Sequence, residues 1–256
     1  MRTQKRMVND LYKNIYRVTK KNIQKLGLHN SNDKLSVSDK TKLKILDKSL
    51  GKSTDISSEL KSILYQNMQE LCKTTIDEVE EQTGIKIQDE EEFIQDIIDS
   101  VVLGLIYNTN WTLSDATDKI SYELYDLVSE IIKDGIASGK SEEEIVEDIL
   151  AVINPEAQNP SYENKRKKRT IYTGKVDYPA NRLVHTTLQH VYQKAIVNIG
   201  TYINALEEGR VMIRWISALL PNTCDICEAR HDNLYTPEDL PLDHPNGQCS
   251  FVIEIY

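Results

Sequence analysis

The sequence predicts a mostly α-helical protein with a small C-terminal β element, an α+β chain whose last, antiparallel strands surround a metal-binding loop. Three observations carry this. Apolar residues recur at helical spacing from Met7 to Ile153 and again from Val184 to Leu206. The pattern then switches to β-branched and aromatic runs at Arg210–Ile216 and Ser250–Tyr256. Three of the four cysteines, Cys224, Cys227 and Cys249, fall between those runs.

The elements follow in order. Met7, Leu11, Ile15 and Val18 mark a first helix, stopped at Gly27. Ser38 is the expected cap of a short second helix, with Leu43 and Leu46 inward and Gly51 as its end. Leu60, Leu64, Leu71 and Val79 mark a third, closing near Gly84. Asp89 is the expected cap of a fourth, whose Phe93, Ile94, Ile97, Ile98, Val101 and Leu105 form a broad apolar stripe. Ile120, Leu124, Leu127, Val128 and Ile131 mark a fifth, expected to end at Gly135. Ser141-Glu142-Glu143-Glu144 is a capping box opening a sixth through Ile145, Ile149 and Ile153, which Pro155 cuts short.

Residues 154–178 change character, with Pro155, Pro160, Gly174 and the run Lys165-Arg166-Lys167-Lys168-Arg169. An exposed loop or hairpin is expected. The run reads either as a solvated loop tip or as a contact to a phosphate backbone or acidic surface. Pro179 suits the first turn of a long helix, in which Val184, Leu188, Val191, Ala195, Ile199, Tyr202 and Leu206 form one stripe ending at Gly209. His185 and His190 read as ordinary helix residues, not ligands. Cys72, alone in a helical pattern, reads as a small core residue.

Charge is unevenly spread. The net charge of −9 resolves into +9 over residues 1–49, −19 over 50–164 and +1 over 165–256. That suits a basic arm on an acidic body. Lys5, Arg6, Lys13, Arg17, Lys20 and Lys21 are the arm's candidate contacts to DNA or an acidic protein, the alternative being a solvated helix face. The longest apolar run, Val101–Ile106, is far short of the roughly 20 residues a membrane helix needs. The first residues show no apolar signal core, so no secretion is expected. No phosphate-binding glycine loop, HExxH or GxSxG is present.

One constellation carries chemistry. Cys224 and Cys227 are separated by two residues, and His244 and Cys249 follow. Zinc takes about four nitrogen and sulfur ligands in a tetrahedron, and a tight CxxC turn offers two sulfurs to one side. Cys224, Cys227, His244 and Cys249 are therefore the expected ligands of a structural Zn2+, with His231 as a rival. The surrounding loop is polar and short of core, a deficit that metal binding makes good. Reduced, packed cysteines or a redox CxxC are the competing readings. The redox one wants Cys224 at a helix start, where the sequence places a strand and Pro221.

At these residues the chain resembles the phage head morphogenesis family typified by the Mu F protein. That family has a helix with an "RIARTE"-like motif, a strand bearing Trp, a "D-x-R-T-C-x-x-C" turn and a closing "H-P-x-C-R-C". Here the helix reads Arg182-Leu183-Val184-His185-Thr186-Thr187, and Arg182 and Thr186 are retained. The strand and turn run from Trp215 through Asn222-Thr223-Cys224 to Cys227, and the close is His244-Pro245-Asn246-Gly247-Gln248-Cys249. Thr187 stands for the family's Glu, Leu220 and Asn222 for its Asp and Arg, and Gly247 for the first Cys of the last pair.

The resemblance covers roughly residues 120–256. It implies residues 119–256 as a Mu F-like domain with a zinc-knit module at 210–256, preceded by a helical region at 1–118. It further implies a low-copy minor capsid protein of the virion, present in host cytoplasm during assembly and bound near the portal protein. Scaffold and major capsid protein are further expected partners, with roles in head assembly and in DNA packaging or ejection. An interaction protein is expected rather than an enzyme. The alternative is a zinc-dependent nuclease or hydrolase at the Cys/His site, with Glu228 or Asp243 acting beside an open coordination position.

Overall fold

The structure, a computed structural model, describes residues 2–28, 35–53, 55–104, 110–158, 160–164, 169–206, 210–221 and 223–256. Expectations resting on Leu105, Lys165, Arg166, Lys167, Lys168, Gly209 and Asn222 lie outside the described residues. The elements are α1 (Arg2–Lys25), α2 (Val37–Ser53), α3 (Ser57–Thr83), α4 (Glu90–Val102), α5 (Leu113–Ser138), α6 (Glu142–Ile153), β1 (Ser161–Asn164), β2 (Arg169–Thr173), α7 (Tyr178–Leu206), β3 (Val211–Ile216), α8 (Asp225–Arg230), β4 (Leu234–Tyr235) and β5 (Ser250–Ile255). The protein is mostly helical with a small C-terminal antiparallel sheet, as its sequence predicts. No helix among the described residues is long and apolar enough to cross a membrane.

The chain divides into two compact units, each built from two segments: residues 1–63 with 115–181, and 64–114 with 182–256. The boundary expected at 118/119 follows the extent of the family resemblance.

In the first unit α1 packs on α2 and α6. Its buried stripe is Val8, Tyr12, Ile15, Thr19 and Ile23. Met7, Leu11 and Val18 sit beside it, half-buried. The expected stripe was displaced because it counted aliphatic residues only and passed over Tyr12 and Thr19. Leu43, Leu46 and Leu50 of α2 are fully buried. The basic N-terminal segment is thus a pair of packed amphipathic helices with a cationic outer face rather than a free arm.

Local signals explain the ends of these helices. The cap of α2 is Ser36, not Ser38: Asp39 N–H donates to Ser36 Oγ (3.1 Å), and Ser36 N–H donates to Asp39 Oδ2 (3.0 Å). Helix α5 runs through Gly135, where a Cβ would overlap the side chain of Ile145. It stops instead at Gly139, whose φ of 73° only glycine adopts readily. The expected capping box at α6 forms, with Ser141 Oγ accepting from Glu144 N–H (3.2 Å) and the Glu144 carboxylate accepting from Ser141 N–H (2.8 Å). Strands β1 and β2 form the hairpin anticipated for residues 154–178. Buried Tyr162 pins it to α5 by donating to Asp134 Oδ2 (2.8 Å).

The second unit holds the C-terminal sheet, ordered β4-β3-β5 and antiparallel throughout. Ile213 faces Ile253 and Trp215 faces Phe251 across β3 and β5. Val211, Ile213 and Trp215 alternate inward, and meet Ile196, Ile199 and Ile203 of α7 and Ile76 and Val79 of α3 in one core. The stripe of α7 finishes on Ile203, and Leu206 is exposed. Asp89 holds the N-cap position of α4, but at φ 51° its side chain makes no capping bond. Cys72 is fully buried, and burial pushes its thiol up to about 12, which suits a core residue.

Candidate metal centre

Strand β3 delivers the chain to a knuckle. The Ser217 hydroxyl donates to the Cys227 carbonyl, and Ser217 N–H donates to His231 Nδ1 (3.2 Å). A reciprocal turn follows, in which Leu220 N–H donates to Thr223 Oγ1 and Thr223 N–H to Leu220 O, both at 2.8 Å. Cys224 is then the N-cap of the six-residue α8, and its Sγ accepts from Cys227 N–H (3.4 Å). This single turn brings both sulfurs to one side. It also corrects the expectation that Cys224 lies away from a helix start, because α8 was not foreseen.

The second half of the site returns along α7. Gln193 Nε2 donates to Pro241 O (2.6 Å), and Gln193 Oε1 accepts from Asp243 N–H (2.9 Å). Gln189 Nε2 donates to Cys249 O (2.6 Å) and to Asp243 Oδ2 (3.1 Å). Thr186 Oγ1 accepts from Asn246 N–H (3.2 Å), and His185 Nε2 lies 3.0 Å from Gly247 O. Residues 185, 186, 189 and 193 share one helical face, so α7 holds the loop carrying His244 and Cys249 by its backbone.

The donors converge in two overlapping triads. Cys224, Cys227 and His244 form one, and Cys227, Asp243 and Cys249 the other, with the ligand atoms of each within 4.8 Å of one another. Cys224 Sγ is 3.3 Å from His244 Nε2, and Cys227 Sγ is 3.8 Å from Asp243 Oδ1. A sulfur at about 2.3 Å and a nitrogen or oxygen at about 2.0 Å from one tetrahedral zinc stand about 3.5 Å apart. The two separations bracket that value. The four residues selected from spacing therefore lie in a cluster able to hold a metal ion such as zinc.

Of the four residues, only Cys224 is tuned toward the deprotonated form that a metal binds. The Cys227 N–H bond, with His244 beside it, lowers the Cys224 thiol. Burial raises the Cys227 and Cys249 thiols. The Pro245 carbonyl raises His244, and the Asp243 and Cys224 charges add to this. Hydrogen bonding from Cys227, and then from Trp215 and Ser217, acts to lower Cys249 against the effect of burial, and the indole N–H of fully buried Trp215 has no other partner among the described residues. A donor directed at a buried sulfur suits a thiolate, the form a metal binds. Trp215 is itself held by an edge contact with Phe251, at 5.0 Å between centroids, and by the Arg230 guanidinium at 4.9 Å from its ring.

His231 takes no place in either triad. Its Nδ1 is committed to Ser217 N–H, which makes it a brace of the knuckle. Arg182 and Thr186 both lie on α7, and Thr186 is a loop anchor. Lys5, Arg6, Lys13, Arg17, Lys20 and Lys21 are exposed on α1, with Lys13 paired to Glu156 (3.1 Å) and Arg6 to Asp10 (3.9 Å). Arg169 opens β2. Gln189 and Gln193 were missed as site residues, Asp243 was weighed only as a group acting beside an open coordination position, and His185 was read as ordinary. The available signal was a polar row, His185, Gln189 and Gln193, spaced four apart along the helix. Comparison of the chain with family models, curated proteins and solved structures finds no match to any of the three.

Proposed function

We propose that the chain is a bacteriophage minor head protein of the Mu F-like family, an interaction protein acting in low copy at the portal vertex. In this reading a structural zinc ion, held through Cys224, Cys227, His244 and Cys249, knits the C-terminal module. The observation that carries it is the gathering of those donors into one cluster beside the Trp215 strand and the Thr186 helix, in the order of the family's motifs. Its support is the motif order together with this geometry. Zinc would supply cross-linking of a loop that has almost no core of its own.

The cationic face of α1 offers a sequence-independent contact for packaged DNA, and such binding weakens steeply with salt. Two experiments test the reading. Quantitative mass spectrometry of purified virions should find the chain at a few copies per particle beside the portal protein; absence from particles contradicts the assignment. Duplex DNA titrated against the full chain and its sextuple variant Lys5→Gln, Arg6→Gln, Lys13→Gln, Arg17→Gln, Lys20→Gln and Lys21→Gln should show salt-dependent binding lost in the variant. Equal binding by both removes the DNA contact and leaves the head assignment standing.

A further inference from the structure

We propose that Asp243 is itself a ligand of the bound ion, so that the centre is a five-donor cup of three thiolates, an imidazole and a carboxylate. This inference rests on the metal-binding reading above. Asp243 is 1% exposed. Its carboxylate accepts from His244 N–H at Oδ1 (2.9 Å) and from the Gln189 amide at Oδ2 (3.1 Å), and Oδ1 faces Cys227 Sγ at 3.8 Å. None of these partners is a cationic side chain. A buried carboxylate is ordinarily paired with a cation or bound to a metal. The nearest groups of matching chemistry are Cys227 and Cys249, which together with Asp243 form a triad of metal-binding geometry.

The chain is also shaped around this carboxylate. Gly247 N–H donates to His244 O (2.8 Å), and Asn246 is left-handed at φ 63°, so residues 244–247 turn tightly over Asp243. A Cβ at position 247 would fall on the Asp243 carboxylate. Glycine there keeps the space open. The Gln189 amide and the His244 N–H then hold the carboxylate while one oxygen is directed at Cys227.

Cys227 is the residue common to both triads, which makes it the pivot of the site. A set mixing thiolate, imidazole and carboxylate suits a borderline divalent ion, zinc or cobalt(II), and neither the oxygen-seeking calcium nor soft copper(I).

Cobalt(II) titration of the full chain tests this, because its ligand-field bands report the donor set and its charge-transfer band counts thiolates. Asp243→Asn should shift the ligand-field bands and weaken cobalt(II) binding tenfold or more. Asp243→Cys should raise the charge-transfer intensity by one thiolate's worth, a gain that a residue merely bracing the loop does not produce. This second variant decides the matter where the first fails to fold. Bands and affinity unchanged in Asp243→Asn, or no added charge transfer in Asp243→Cys, overturn the inference while the metal reading stands. Failure of the unaltered chain to bind cobalt(II) or zinc overturns both.

Discussion

The helical unit of residues 1–63 and 115–181 and the C-terminal loop of residues 217–249 reach a fixed structure by different means. The first buries whole aliphatic stripes, such as Leu43, Leu46 and Leu50 on α2 and Ile145, Ile149, Val152 and Ile153 on α6. In the loop, the buried residues among those described are Ser217, Cys227, Pro237, Asp243, Gly247 and Cys249. Three of the six are candidate metal donors, and Ser217 and Gly247 support them. Burying a Leu or Ile side chain stabilises by about 1.5–3 kcal/mol, and a stripe of them holds a helix without help. The loop has no such reserve; hydrogen bonds with Gln189, Gln193 and Thr186 hold its backbone, and under the proposed reading a metal at its clustered donors would contribute folding free energy directly.

The largest expected effect breaks the contrast outright. Cys227→Ser removes the donor common to both triads, and zinc binding in small modules contributes on the order of 10 kcal/mol. Residues 217–249 should become protease-sensitive and the near-UV signal of Trp215 should weaken, while far-UV helical content is largely kept. Ile149→Ala tests the other side. It opens a cavity in a fully buried position of the helical unit and should cost about 2–5 kcal/mol in denaturant unfolding, with zinc content unchanged.

A pH series sharpens the comparison further. His190 on α7 is buried, and burial, with Lys194 nearby, holds its imidazole down to about 4 from an ordinary 6.5. The unfolded chain takes up a proton near pH 6.5 that the folded chain refuses until near pH 4. Stability therefore falls as pH drops through that window, by roughly 3 kcal/mol at its lower end. His190→Gln should flatten that part of the stability profile measured by urea unfolding between pH 4 and 7. The smallest effect is Ser141→Ala, which deletes half of the α6 capping box and should cost about 1 kcal/mol.

The two regions also differed in how far the sequence disclosed them. The helices were legible because burial repeats every three or four residues, and the Gly27, Gly84 and Ser141 signals marked true ends. Errors came where tertiary packing overrode local rules: Ile145 sits against Gly135 and lets α5 run on to Gly139, and Tyr12 and Thr19 belong to the core face of α1. Strands β3 and β5 were legible from their β-branched runs, whereas the two-residue β4 and the six-residue α8 are too short to show a period. At the site, spacing alone identified Cys224, Cys227, His244 and Cys249. Asp243 was weighed only as a group beside an open site, since a lone acid next to a histidine has no distinguishing spacing. Gln189 and Gln193 lie some fifty residues from the loop they hold, a relation only the folded chain reveals.

If one metal ion builds the C-terminal module, elemental analysis combined with zinc-edge X-ray absorption on the purified full chain should find one zinc per chain with a sulfur-dominated shell. Residues 217–249 should then lose order when a chelator removes the zinc. A chain that carries no metal, or one whose C-terminal module keeps its protease resistance after the zinc is stripped, contradicts the proposed metal centre.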